Sequence, residues 1–192
     1  VLSRQGYLQV TVGCEPFAVT TEVISKVIAL PYKSSLGRGV LYCPAGMHAF
    51  GGGGFMMNPS GHISTDAYEM TSNAGSADGT GWTFAANTVG PNDRVVINVQ
   101  CAPLRGSTVS QTGTPAPQFK LANVYGFCQP GYTALSGGVY LSKPDGNEVR
   151  SGYIDYSTPV SGSGLPDRWF TDGMSFEDPT GDKLVALEQC IR

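Results

Sequence analysis

The chain has 192 residues, of which only 14% are charged, and 26 glycines and 13 prolines interrupt it often enough to exclude long surface helices. A formal charge of −3, with no cluster of Lys or Arg, excludes the basic footprint that a nucleic acid or an anionic membrane surface requires as partner. No apolar run approaches the ~20 residues of a membrane-spanning helix, and a start at Val1 without an n-region or h-region reads as a processed or trimmed soluble product.

Short β-branched or aromatic runs bounded by turn residues predict strands. In chain order they are Tyr7 to Val12, Val40 to Cys43, Gly81 to Ala86, Val95 to Cys101, Gly138 to Leu141, Gly152 to Tyr156 and Lys183 to Gln189. Between the first two, Val23 to Pro31 has apolar spacing that suits a short helix and β-branched content that suits a strand. Asn58-Pro-Ser-Gly61, Ala77-Asp-Gly79, Gly90 to Asp93, Pro144-Asp-Gly146 and Pro179 to Asp182 supply turns. The glycine runs Gly51 to Gly54 and Gly137-Gly138 fall where strands are expected, so they mark a bulge or a close sheet contact rather than a phosphate cradle. Residues 102–117 are polar, carry prolines and lack periodicity, the composition of a linker or long surface loop.

An internal repeat organises these elements. Set against each other from Cys43 and from Cys128, two nineteen-residue segments share seven identities without a gap: Cys43/Cys128, Gly46/Gly131, Ala49/Ala134, Gly52/Gly137, Gly53/Gly138, Pro59/Pro144 and Gly61/Gly146. Trp82 and Trp169 follow at similar distances, and each copy closes on an apolar run ending Gln100-Cys101 or Gln189-Cys190. That is a duplication signature. The expected organisation is an N-terminal strand and connecting segment (1–39), a first repeat (40–103), a linker (104–120) and a second repeat (121–192). The fold class expected is all-β, two homologous disulfide-closed β-sandwich or small-barrel repeats. Leu8 to Cys14 echoes the closing strand of a missing copy, and its backbone needs an edge to pair with, in this chain or in a neighbour.

Five cysteines without Cys-x-x-Cys or a histidine at zinc spacing indicate disulfides and an oxidising, extracellular compartment. Repeat logic pairs Cys43 with Cys101 and Cys128 with Cys190 and leaves Cys14 over for self-association through residues 8–14 or for burial. The rival register, Cys14 with Cys43 and Cys101 with Cys128, makes neither repeat self-contained. The succession Cys43-x-x-Gly46, Gly52-Gly53, Gly81-Trp82 and closing strand to Cys101 resembles repeat domains of exported bacterial proteins, especially actinobacterial ones, and shares features with pilus-tip adhesin regions. The second copy departs from the pattern, with Arg168-Trp169 in place of Gly81-Trp82. What the resemblance implies is an extracytoplasmic β domain used for surface recognition.

Candidate chemistry is sparse. The two histidines, His48 and His62, both fall in the first repeat, which excludes a duplicated catalytic site. His62, Ser64 and Asp66 hold the minimum for nucleophilic catalysis, the basis of an alternative reading as a secreted hydrolase, but along a strand they would be strung out rather than convergent. Acidic turns around Asp145 and Asp182 offer oxygens to calcium, yet lack EF-hand spacing and read as Asx turns; no metal or cofactor is expected. The ligand-binding candidates are the aromatics Tyr68, Trp82, Tyr153, Tyr156 and Trp169, weighed against core packing for the two tryptophans. The sequence thus predicts a non-catalytic recognition or structural module for an extracellular glycan or a protein surface, with a protease inhibitor as a further alternative.

Overall fold

A computed structural model describes residues 21–29, 36–64, 69–87, 92–147, 149–160, 168–177 and 181–192. The expected strand from Tyr7 and the residues around Cys14 lie outside the described residues. Among the described residues all twelve elements are strands: β1 (Glu22–Ala29), β2 (Gly37–Tyr42), β3 (His48–Met57), β4 (Met70–Gly75), β5 (Gly81–Ala86), β6 (Arg94–Ala102), β7 (Thr108–Pro115), β8 (Ala122–Phe127), β9 (Thr133–Ser142), β10 (Gly152–Val160), β11 (Arg168–Ser175) and β12 (Lys183–Ile191).

They form a six-stranded antiparallel sheet, β2-β5-β4-β9-β12-β7, and two three-stranded sheets, β1-β6-β3 and β10-β11-β8. The order seen in the first half, with β1-β6-β3 packed on β2-β5-β4, is the order seen in the second, with β7-β12-β9 packed on β8-β11-β10. The fold is therefore all-β, built from packed sheets. Both expected disulfides are present, Cys43–Cys101 and Cys128–Cys190, and each ties the end of one sheet to a central strand of the facing sheet.

Two segments resolve differently from their sequence reading. Val23 to Pro31, ambiguous between helix and strand, contributes β1, in keeping with its β-branched residues. Residues 104–120, expected to be a linker, hold β7, whose Thr-rich alternation pairs with β12 from Thr108↔Cys190 to Pro115↔Lys183. An edge strand with one face in solvent tolerates polar side chains, and threonine's branched Cβ suits the pleat.

The halves meet where β4 pairs with β9 through two rungs, Ser72↔Tyr140 and Asn73↔Val139. Asn73 accepts a hydrogen bond from Trp82 beneath β1-β6-β3, whereas Val139 packs with Val124 and Ile154 beneath β10-β11-β8. Directly opposed residues share a face, so both small sheets pack on the same face of the large sheet. Met70 packs against the cores of both halves and bridges the joint.

The glycine runs are strand, and close contact explains them. A Cβ at Gly52 would strike the Trp82 ring, one at Gly54 the Phe84 ring, and one at Gly137 the Trp169 ring. The one at Gly138 would meet the backbone of Ala74 across the β4–β9 joint. Phe50 and Leu135, at the same repeat position, are each an extra residue bulged out of the ladder to β6 or β12. At Gly53, by contrast, no atom lies within 4 Å of a built Cβ. Gly137→Val should therefore cost about 3 kcal/mol through overpacking, while Gly53→Ala changes stability by no more than about 0.5 kcal/mol. Urea unfolding of the two variants beside the parent checks the pair.

Candidate ligand-binding site

On β8 the burial pattern alternates strictly, sending Ala122, Val124 and Gly126 inward and Asn123, Tyr125 and Phe127 to solvent. β11 runs alongside with Phe170 opposite Tyr125 and Arg168 opposite Phe127, so their side chains share the outer face. The Tyr125 and Phe170 rings stand 5.0 Å apart, and Tyr125 and Phe127 6.5 Å apart. Tyr125 is 43% and Phe127 50% exposed. Three aromatic rings thus form a shallow platform, flanked by Arg168 and, across β10, by Thr158 opposite Phe170.

Behind the platform the sheet packs tightly on β12. A Cβ on Gly126 would fall on the carboxylate of Glu188, which is itself fully buried, with neither oxygen hydrogen-bonded. At the matching positions of the first half stand Leu41 and Val99, so a large–medium apolar pair is replaced by glycine and a carboxylic acid. Desolvation pushes the Glu188 pKa up from 4.5 to about 8, so the side chain is neutral at neutral pH and fills the core as an acid.

Of the sequence-predicted ligand residues, Trp82, Tyr153 and Trp169 lie off this platform. Trp82 is 4% exposed and packs with Ala49, Val99 and Cys101, its Nε1 donating to Asn73 Oδ1 at 2.8 Å. Trp169 faces Gly137, and its Nε1 donates to Ser157 Oγ at 2.8 Å. Both tryptophans therefore occupy the space between sheets. Tyr153 is half-buried against Phe176, 5.8 Å between ring centroids, and Phe176 stacks on Phe119. Tyr156 pairs with Asp172 on the β10–β11 ladder, and Tyr68 lies outside the described residues. Tyr125, Phe127 and Phe170 were missed, although the alternation Ala122-Asn-Val-Tyr-Gly-Phe127 is a period-two signal that could have found the first two.

Two of the three hydrolase candidates, His62 and Ser64, lie among the described residues. His62 is exposed on the turn after β3, where its backbone N–H donates to Asn58 Oδ1 at 3.0 Å. Ser64 is buried, with its backbone N–H donated to Met56 O, and Asp66 lies outside the described residues. Among the described residues no group of His, Cys, Asp and Glu forms a metal cluster. Asp145 acts as an Asx-turn residue, accepting the Asn147 N–H at 2.9 Å, and this bond holds its carboxyl below the usual range. Asp78 is lowered in the same way, first by the Ser76 hydroxyl and then by the Thr80 N–H.

No protein-family model matches the chain, and no curated protein matches it in sequence. The class is that of a disulfide-clamped all-β sandwich protein, and the reading of its function rests on the site itself.

The Glu188 pKa is raised on folding, so its stabilising neutral form is fully present below the unfolded value and is lost as pH rises through the folded one. Stability should fall by up to about 1.4 kcal/mol per pH unit between the two values. Glu188→Gln should remove that slope, measured as denaturation midpoint from pH 5 to 8.

Proposed function

We propose that the protein is a secreted, non-catalytic recognition module that binds an extracellular glycan on the Tyr125–Phe170 platform. The observation that carries this reading is the exposed aromatic cluster on a flat sheet face. A pyranose ring presents a face of C–H groups to an aromatic ring and hydroxyls at its rim, and such a cluster with polar neighbours matches both needs. Rings held on paired strands also lose little freedom on binding, since the sheet has already fixed their backbones.

Two disulfides joining facing sheets are consistent with an oxidising compartment and support secretion. The internal sequence match, together with a strand order that occurs twice, supports a duplicated unit in which only the second copy carries the platform. At the matching positions the first copy has Val40, Tyr42 and Thr83, which keep one aromatic ring out of three.

The test is binding of the parent and of Tyr125→Ala and Phe170→Ala to immobilised neutral oligosaccharides of glucose, mannose and N-acetylglucosamine. Each substitution should weaken binding roughly tenfold, equivalent to ~1.4 kcal/mol, with an unchanged far-ultraviolet spectrum. Binding that is unaffected by both would place the site elsewhere. Hydrolysis of a chromogenic glycoside that disappeared in His62→Ala would replace this reading with the enzymatic one.

A further inference from the structure

The outer face of β10-β11-β8 carries a second group of rings beyond the platform. Alternation along β11 buries Thr171, Gly173 and Ser175 and turns Phe170, Asp172 and Met174 outward. Tyr153 pairs with Met174 and so shares that outer face, while its neighbour Ile154 points into the core. Just past the end of β11, the Phe176 ring lies 5.8 Å from Tyr153 and 5.6 Å from Phe119, on which it stacks. Phe176 follows Phe170 along the chain, and the rise of an extended strand places the two ring groups about 20 Å apart on the sheet. Asn123 of β8, exposed to solvent, lies between them.

Phe119 is held there against its own backbone preference. Its φ of 57° is in the left-handed region, which is strained for a bulky residue and is adopted readily by glycine. Hydrogen bonds fix the turn in that shape: the Phe119 N–H donates to Ser175 O at 2.9 Å and the Lys120 N–H to Pro117 O at 3.1 Å, while Gln118 Nε2 donates to Phe176 O at 2.8 Å. A position that glycine would fill without strain instead carries a large ring that is 66% exposed. Packing alone gives little return for that ring. Backbone strain maintained by its surroundings is characteristic of ligand clamps.

We propose that Phe119, Tyr153 and Phe176 form a second subsite, so that the protein binds the interior of a linear glycan chain laid along β8 and β11 rather than a single sugar or a chain end. The proposal rests on the reading of the Tyr125–Phe170 platform as a glycan site. Two ring groups on one flat face suit a chain whose pyranose rings stack at both ends of the track, with hydroxyls of the units between them meeting Asn123. A disaccharide is too short to reach both groups. Once a longer chain is held at the platform, its far end meets the second group at high effective concentration, so affinity rises with chain length.

Calorimetric titration of the full chain with linear disaccharides and hexasaccharides of glucose, mannose and N-acetylglucosamine tests the proposal. For the sugar that binds, the hexasaccharide is expected to bind at least tenfold tighter than the disaccharide. Phe119→Gly should abolish that gain and leave disaccharide binding unchanged, Phe119→Tyr should retain the gain, and Tyr125→Ala should weaken both lengths. Glycine suits the left-handed turn, so melting temperature serves as the check that Phe119→Gly is folded. A hexasaccharide no tighter than the disaccharide, a gain that survives Phe119→Gly, or one lost in Phe119→Tyr would each overturn the second subsite, while weakening by Tyr125→Ala leaves the platform standing. Binding of both lengths that is untouched by Tyr125→Ala, or no binding of any hexasaccharide at millimolar concentration, would overturn the platform reading and the second subsite with it.

Discussion

Everything in this fold depends on how closely two sheets can approach where a tryptophan lies over a glycine. Trp82 over Gly52 and Trp169 over Gly137 are the same contact made twice, and in each case a Cβ would occupy space already filled by the indole. A tryptophan buries a large apolar surface but must place its N–H, and here the adjacent strand supplies the acceptor, Asn73 in one half and Ser157 in the other. The disulfide then fixes the separation beside it, joining Cys43 or Cys128 to the strand that pairs with the glycine run in the facing sheet. Glycine weakens a strand in isolation, so these strands are held by their partners across the sandwich rather than by their own propensity.

Close sheet approach and turn geometry account for most of the seven identities between the halves. One matches the disulfide cysteines Cys43 and Cys128, and one matches the alanines paired with the closing cysteines, Ala49↔Cys101 and Ala134↔Cys190. Gly46, Gly131, Gly61 and Gly146 have φ of 84°, 86°, 86° and 82°, where a side chain is strained. The matched prolines lead into turns, and Gly138 admits Ala74 at the joint. Identity between the halves is thus concentrated where the backbone demands it, and the outward faces are free to diverge. Tyr125, Phe127 and Phe170 in the second half stand where Val40, Tyr42 and Thr83 stand in the first.

Legibility in the sequence follows from this division. β5 and the disulfide pairing could be read because they are signalled locally, by a β-branched and aromatic run and by repeated cysteine spacing. At β3 a strand with a close sheet contact is expected from the sequence, but not the partners of that contact, since Trp82 and Phe84 lie about 30 residues away in sequence and the glycines themselves have low strand propensity. β7 was hidden by its polarity, which is a property of the edge it occupies. The candidate sites suffered most. Large aromatics drew attention because they are large, but Trp82 serves the core, and exposure is decided by the face on which a register places a residue.

The joint between the halves shows how register also sets where function can sit. β4 and β9 pair through two rungs, while their counterparts β3 and β10 end their own sheets, so the large sheet is continuous only on one side. Continuity of that sheet is what brings Tyr140 and Gln111 of the second half alongside Arg38, Tyr42 and Ser72 of the first. The strand order that occurs twice therefore carries two different surfaces, exposed rings on the outer face of β8 and β11 and a groove where β9, β12 and β7 lie beside β2-β5-β4. The difference arises from four residues of backbone pairing, and Gly138 is the position at which the closeness of that pairing is decided.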